Sequence, residues 1–204
     1  MPDADADANV GATLVAPVHA IDPERLAAYL RAHVAPFSGP LVVRQYQGGQ
    51  SNPTYRITAG DQSYVLRRKP PGTLLPSAHA VDREYRVMRA LAATGVPVPR
   101  MLALCEDDSV LGTAFYVMEY VRGRVLWDPT LPGMTREQRA AHYDELNRVI
   151  ATLHNVDFAA IGLADYGRPG QYVERQIARW SKQYAAAGIA PIPAMDRLIE
   201  WLPR

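Results

Sequence analysis

The residues best suited to binding an anion lie in a turn that contains two adjacent glycines. Glycine has no Cβ atom, so a glycine-rich backbone can approach a ligand closely, and successive N–H groups of such a turn can surround an anion. Strand-like residues 41–47 and 54–58 flank the turn, which therefore also suits an ordinary tight hairpin connection. Both interpretations stay open on these residues alone. The candidate phosphate-contacting residues are Gly48, Gly49, Gln50, Ser51 and Asn52.

A second candidate group is cationic, since Arg67, Arg68 and Lys69 end a strand-like run near that turn. Side chains alternate along a strand, so Arg67 and Lys69 share one face and Arg68 lies on the other. Glu84, on the next predicted helix, is expected to pair with one of these cations. A cation held by a carboxylate is a common way of directing charge at phosphate oxygens. The alternative is an ordinary surface ion pair, which stabilises a protein little.

A third candidate group lies at residues 116–121, Tyr-Val-Met-Glu-Tyr-Val, where a strand ends and the sequence becomes helical. Extended backbone at such a boundary can present N–H and C=O groups to a flat heterocycle. The alternative is a plain buried strand.

Short strand-like runs joined by glycine-containing turns must position these candidates. The predicted strands are 41–47, 54–58, 63–68, 101–105 and 114–121, with an acidic turn at 106–108. Between the third and fourth strands, residues 81–94 have apolar side chains at helical spacing, and Gly95 follows as the expected C-terminal cap. Three strands, one helix and two strands predict an α+β fold built on an antiparallel five-stranded sheet.

Helices are predicted on both sides of this sheet region. Before it, Asp22 suits an N-cap and Pro23 the first helical position. After it, Thr135 and Gln138 form a capping-box pattern ahead of an apolar stripe made of Tyr143, Leu146, Val149, Ile150 and Leu153. A further helix is predicted at 172–187 and the start of another at 195–202. The side chains expected to point inward from the helix at 172–187 are Val173, Ile177, Trp180 and Tyr184.

Composition excludes several classes of protein. The chain has 204 residues and a formal net charge of +1, which gives no electrostatic case for nucleic acid as a partner. Cys105 is the single cysteine, so an internal disulfide and a multi-cysteine metal site are both excluded. No apolar run is long enough to span a membrane. Residues 1–9 are acidic and lack the basic and apolar regions of a signal peptide, which predicts a cytoplasmic protein with a disordered N-terminal tail.

The order of these features resembles the aminoglycoside phosphotransferase family, which has a protein-kinase-like fold. The resemblance runs from residue 41 to 201 and includes the glycine hairpin, the cationic strand, Glu84 and a Val-Pro-Val-Pro connector at 96–99. The stretches 64–72, 75–85 and 166–176 look like one branch of it. That branch contains the kinase-like domains fused to, or related to, acyl-CoA dehydrogenase family members ten and eleven.

The resemblance implies a role for each candidate residue. Residues 48–52 would cover the phosphates of ATP, and Glu84 would pair with the cation that contacts them. Arg67 stands where most such kinases have a lysine, with Lys69 on the same strand face as the alternative. This departure matters because arginine binds phosphate through a fork and lysine as a point charge. Met118 would border the adenine pocket, and the backbones of Glu119 and Val121 would bind the adenine edge.

Phosphoryl transfer also needs an Asp that orients the acceptor hydroxyl and ligands for Mg²⁺. In the resembling family these lie on a His-Gly-Asp-x-x-x-x-Asn loop and a later Asp, and the 204 residues contain no such loop. His142 and Asp144 have part of the spacing, but they sit in a predicted helix with Val149 in the place of the Asn. We therefore assign no catalytic residue and no metal ligand to this chain, and expect both beyond Arg204 in a truncated chain.

The predicted organisation is a disordered tail (1–15), a nucleotide-binding N-lobe with a leading helix (16–121), and a linker with part of a helical C-lobe (122–204). The first functional hypothesis is an ATP- and Mg²⁺-dependent small-molecule kinase acting on a hydroxyl, with a hydroxyacyl-CoA favoured over an aminoglycoside, and inactive as this chain alone. The second is a non-catalytic nucleotide-binding or interaction module. The third is an incompletely folded fragment whose exposed helix faces promote self-association.

Overall fold

The computed structural model describes residues 12–16, 20–34, 37–46, 52–72, 79–167 and 170–203. The chain forms two compact units, Met1–Asp157 and Phe158–Arg204. The five predicted strands are all present and antiparallel, which confirms the predicted fold class. The strands are β1 Ala12–Thr13, β2 Leu41–Tyr46, β3 Thr54–Ala59, β4 Gln62–Arg68, β5 Met101–Cys105 and β6 Phe115–Glu119. The helices are α1 Pro23–His33, α2 Val81–Leu91, α3 Asp108–Leu111, α4 Arg136–His154, α5 Tyr172–Ala186 and α6 Pro193–Trp201.

The strands form one sheet in the order β1-β2-β3-β4-β6-β5. Its first strand, Ala12–Thr13, lies within residues that the sequence places in the N-terminal tail. It pairs antiparallel with β2, Ala12 opposite Tyr46 and Thr13 opposite Gln45. The Ala16 N–H then donates to Gln45 Oε1 at 3.1 Å. Pairing satisfies backbone groups of β2 that an edge strand would otherwise leave exposed.

One face of the sheet packs against α1. Asp22 caps this helix as predicted, since its Oδ1 accepts hydrogen bonds from the N–H groups of Glu24 and Arg25. Leu26 and Leu30 are fully buried against strand residues that include Ile57. Burying a leucine side chain stabilises a fold by about 1.5–3 kcal/mol, so α1 is an integral part of this unit.

The opposite face of the sheet packs against α2 through a smaller apolar cluster. Val81 and Tyr85 of the helix contact Ala114 and Tyr116, and all four are buried. Because β6 lies between α1 and α2, its alternate residues face different helices, Phe115 and Val117 on the α1 side and Tyr116 on the α2 side. This alternation decides which polar side chains meet near α2.

Several element boundaries differ from the prediction, and the end of α2 and the acidic turn differ most. Helix α2 ends at Leu91 rather than Thr94, because the N–H and the hydroxyl of Thr94 both donate to the Leu91 carbonyl, at 2.9 Å and 2.7 Å. The cap is Ala92, so the prediction that Gly95 caps the helix is wrong. A Cβ at Gly95 would instead meet Thr152 Cγ2 of α4 at 3.4 Å. The predicted acidic turn leads into the one-turn helix α3, which begins where Asp107 Oδ1 accepts from the Ser109 N–H.

The helices after the sheet carry the predicted apolar stripes, but these stripes are exposed. Thr135 and Gln138 form the predicted capping box of α4, whereas Leu146 and Ile150 on its stripe are 46% and 42% exposed. In the second unit, the prediction that Val173 and Trp180 point inward is wrong, because both are exposed. Within the described residues, no helix is long and apolar enough to cross a membrane.

Candidate functional site

The candidate cations of β4 are divided between the two faces of the sheet, as strand alternation requires. Arg68 is buried on the α1 side, where its Nη1 donates to the Ala20 carbonyl at 3.3 Å. Arg67 lies on the α2 side. Lys69 follows the end of β4 and is held there by its backbone, since its N–H donates to the Ala114 carbonyl and its carbonyl accepts from the Thr113 hydroxyl.

Glu84, in the first turn of α2, pairs with Arg67. Arg67 Nε donates to Glu84 Oε2 at 2.7 Å, and Arg67 Nη1 donates to Thr54 Oγ1 at 3.0 Å. The side chains are 29% and 34% exposed, so the pair is neither sealed from water nor fully solvated. Two separate nitrogens hold the guanidinium plane in one orientation, which a lysine ammonium could not reproduce.

Two further side chains donate to Glu84, and neither contact is predicted from the sequence. The Tyr116 hydroxyl donates to Glu84 Oε2 at 3.0 Å, and Asn52 Nδ2 donates to Glu84 Oε1 at 2.9 Å. Burial, followed by the charge of Glu84, raises the pKa of Tyr116, so this hydroxyl stays protonated and can donate. Strand alternation in β6 could have predicted the side on which Tyr116 lies, since Tyr116 shares a strand face with the candidate Met118.

Asn52, a candidate for covering phosphates, has a side chain that is paired inside the protein. Its side chain is 2% exposed, and its Oδ1 lies 3.0 Å from His79 Nδ1 while its Nδ2 contacts Glu84. The side chain therefore points into the protein and holds other residues. The other four candidates of the glycine turn, residues 48–51, lie outside the described residues.

A cleft of about 800 Å³ lies on the α2 side of the sheet beside this cluster. Val65 of β4 and Met118 of β6, which are cross-strand partners, line the cleft. Thr54 also lines it and accepts the hydrogen bond from Arg67 Nη1. Its wall is mostly apolar and aromatic. The other lining residues are Tyr46, Pro97, Val98, Pro99, Glu119, Tyr120, Val121, Gly123, Arg124, Val125 and Trp127. Burial, with a smaller effect of nearby Tyr120, raises the pKa of Tyr46 to about 12, so this hydroxyl is neutral at physiological pH.

The residues that follow β6 form one side of the cleft. Glu119 is fastened to Arg100 from two directions, since the Glu119 N–H donates to the Arg100 carbonyl and the Arg100 N–H donates to Glu119 Oε1, both at 2.9 Å. The N–H of Glu119 is therefore already used inside the protein. Its carbonyl and the backbone of Val121 are the groups of this segment to consider for a ligand.

The partial motif that the sequence excluded as a catalytic loop is helical, as predicted. His142 and Asp144 lie in the middle of α4. Among the described residues, no group of three or more His, Cys, Asp or Glu side chains is arranged to hold a metal ion.

A family model and two curated relatives each match most of the chain. The model of the phosphotransferase enzyme family APH matches residues 42–204. The chain is 51% identical over 185 residues to acyl-CoA dehydrogenase family member 10 of Mus musculus, covering 90% of this chain and 17% of that protein. It is 47% identical over 194 residues to family member 11 of Rattus norvegicus, covering 93% of this chain and 25% of that protein.

A solved structure extends the agreement to the fold. The crystal structure of a protein from Ralstonia eutropha JMP134, proposed to be an aminoglycoside phosphotransferase, is 56% identical and superposes with a TM-score of 0.76. The match covers 90% of this chain and 53% of the other. The chain thus spans a quarter or less of these two curated relatives and about half of the solved one.

Proposed function

We propose that this chain, which belongs to the phosphotransferase enzyme family, binds ATP as part of a kinase that phosphorylates a hydroxyl group of a small molecule. The observation that carries the proposal is the Arg67–Glu84 pair beside a mostly apolar cleft on the same face of the sheet. A cation at the edge of an aromatic and aliphatic cleft matches a ligand with a flat base at one end and phosphates at the other.

The residues present fit a nucleotide in size and in chemistry. A cleft of about 800 Å³ is within the usual range for small-molecule and cofactor sites. Val65 and Met118 supply apolar surface for a base, and the backbone of 119–121 supplies polar groups at one wall. Arg67 would direct a guanidinium at phosphate oxygens while Glu84 holds it in place. The glycine turn at 48–52 would cover the phosphates.

This chain's own residues would bind and orient the nucleotide, and would hold the charge of its phosphates. Mg²⁺, when bound, would neutralise charge that develops during phosphoryl transfer. We assign no Mg²⁺ ligand to the described residues, and the 204 residues contain no His-Gly-Asp-x-x-x-x-Asn pattern. The proposal therefore predicts nucleotide binding without phosphoryl transfer for this chain alone.

The proposed acceptor is a hydroxyacyl-CoA. The support is that the curated relatives are acyl-CoA dehydrogenase family members and resemble this chain over nine-tenths of its length. Fusion of a kinase-like domain to an enzyme family that acts on acyl-CoA suggests that both parts handle acyl-CoA compounds. A cytoplasmic location and self-association through exposed helix faces remain parts of the proposal.

Calorimetric titration of the 204-residue chain with ATP and, separately, with adenosine tests the proposal. We expect both ligands to bind, with ATP binding more tightly because only ATP reaches Arg67. Binding of both ligands without phosphate release or transfer fits the proposal for this chain. Adding ATP and hydroxyacyl-CoA to a longer relative then distinguishes a kinase, which transfers phosphate, from a non-catalytic module, which does not. Failure of both ligands to bind a chain with a sharp thermal transition would overturn the proposed function.

A further inference from the structure

Asn52 occupies a junction between the glycine turn and the strand that follows it. It is buried, and it is one of the two buried polar or charged residues among the described residues. Its carbonyl accepts a hydrogen bond from the Thr54 hydroxyl at 3.2 Å, which holds its backbone against the start of β3. A buried amide costs free energy unless its polar atoms are paired, and here both ends of the side chain have partners.

The directions of these hydrogen bonds follow from the chemistry of the partners. A carboxylate only accepts, so the atom of Asn52 that faces Glu84 Oε1 must be the NH₂ group. The carbonyl oxygen of the same amide then faces His79 Nδ1. Because that oxygen only accepts, His79 must donate, which places a proton on Nδ1. The chain of donors runs from His79 to Asn52 to Glu84.

His79 stands at the point where α2 begins. Its backbone has a φ of 59°, a left-handed conformation that is uncommon in residues other than glycine. Its carbonyl accepts from the Val81 N–H at 2.9 Å. The N-cap of α2, Ala80, makes no capping hydrogen bond with its side chain. The contact between the His79 ring and Asn52 therefore links the start of α2 to the strand that follows the glycine turn.

Glu84 is thus held from three directions. Asn52 Nδ2 holds Oε1, while Arg67 Nε and the Tyr116 hydroxyl both reach Oε2. If Oε1 lost its donor, the carboxylate could rotate about its last bond, and Arg67 would follow it. The orientation of Arg67 would then depend on Asn52 and on His79, although none of these hydrogen bonds joins either residue to Arg67.

We infer that Asn52 and His79 are positioning residues that hold Glu84, and through it Arg67, in the orientation needed for nucleotide phosphates. This inference rests on the proposed function. It predicts that the phosphate end of the nucleotide, and not the base, senses changes at Asn52 and His79. A role confined to stability would instead affect all ligands together.

The principal test compares the binding of ATP and adenosine to Asn52→Asp and His79→Ala. Asn52→Asp removes the donor to Glu84 and puts a second carboxylate against it, and like charges at this distance repel. We expect the affinity for ATP to fall about tenfold or more and the affinity for adenosine to stay within about twofold. Asn147→Asp is the matched control, because Asn147 is exposed on α4. His79→Ala retains the buried amide and serves if Asn52→Asp does not fold.

Nitrogen NMR of the imidazole gives a second measurement that needs no nucleotide. We expect the His79 ring to carry its proton on Nδ1 in the unmodified chain, and to change to the Nε2–H form in Asn52→Ala. Equal loss of ATP and adenosine binding, unchanged ATP affinity in both variants, or an Nε2–H ring in the unmodified chain would overturn the inference. If the unmodified chain binds neither ligand, the proposed function fails, and the positioning role fails with it. The tautomer of His79 still shows in that case whether the hydrogen bonds from His79 to Asn52 and from Asn52 to Glu84 exist.

Discussion

Arg67 Nε donates to Glu84 Oε2 across 2.7 Å, although the two residues lie 17 positions apart on a strand and a helix. The contact joins β4 to α2 on the side of the sheet that faces the cleft. Since both side chains are about one-third exposed, solvent weakens their attraction, and the pair alone contributes little to stability. Its value is that it fixes the direction of a positive charge.

Replacing Glu84 with Gln should weaken ATP binding while leaving adenosine binding unchanged. The substituted amide would keep the volume of the side chain but lose the charge that orients Arg67. We expect about a tenfold loss of ATP affinity, as removal of one charge-assisted hydrogen bond commonly gives, measured by calorimetry. Glu24→Gln makes the same change in the first turn of α1 and should have no effect on either ligand. Unchanged ATP affinity in Glu84→Gln would count against the assigned pair.

Enlarging Val65 should weaken the binding of ATP and of adenosine alike, because this side chain lines the cleft and is not part of the charged cluster. Val65→Phe would fill space proposed for the base, so the affinities for ATP and adenosine should fall by a similar factor, about tenfold or more. Val42→Phe is the control on the exposed part of β2, where Val42 is 50% exposed. Adenosine binding that survives Val65→Phe would place the base elsewhere.

Truncation of Leu26 tests whether α1 belongs to the core of the sheet unit. Leu26→Ala removes a fully buried side chain between α1 and the sheet, and we expect a loss of about 2–5 kcal/mol in the free energy of unfolding. Urea denaturation measures it. Leu14→Ala, at a position that is 90% exposed, should change this free energy by less than about 0.5 kcal/mol. Equal effects of the two substitutions would contradict the packing.

Buried tyrosines should make the fold sensitive to alkali. Burial raises the pKa of Tyr29 and of Tyr46 to about 12, from an ordinary value of 10.0. Between these values the unfolded chain releases tyrosine protons that the folded chain retains, so the free energy of unfolding should fall as pH rises from about 10 to 12. Tyr46→Phe should make this decline shallower in denaturation curves measured across that range. Tyr172→Phe, at an exposed position, should leave the decline as steep as before.

Much of the fold was predictable because its signals are local. The N-cap Asp22, the capping box at Thr135 and the bounds of β5 all depend on residues within a few positions of each other. Strand alternation also predicted that Arg67 and Arg68 would face opposite sides. The errors arose where distant groups decide the outcome. Trp180 lies on a helical stripe that the pattern alone directs inward, yet whether a partner covers such a stripe depends on other elements.

The sequence by itself determined five of the six described strands and the longer helices, which family the chain resembles and which residue types are available near the glycine turn. Only the tertiary structure decided that Glu84 selects Arg67 rather than Lys69, and that Asn52, His79 and Tyr116 join the same cluster. The physical reason is the range of the interactions. Periodicity and capping are encoded over a few residues, whereas the partner of the half-buried Glu84 carboxylate is set by strand register and by the packing of a helix on the sheet.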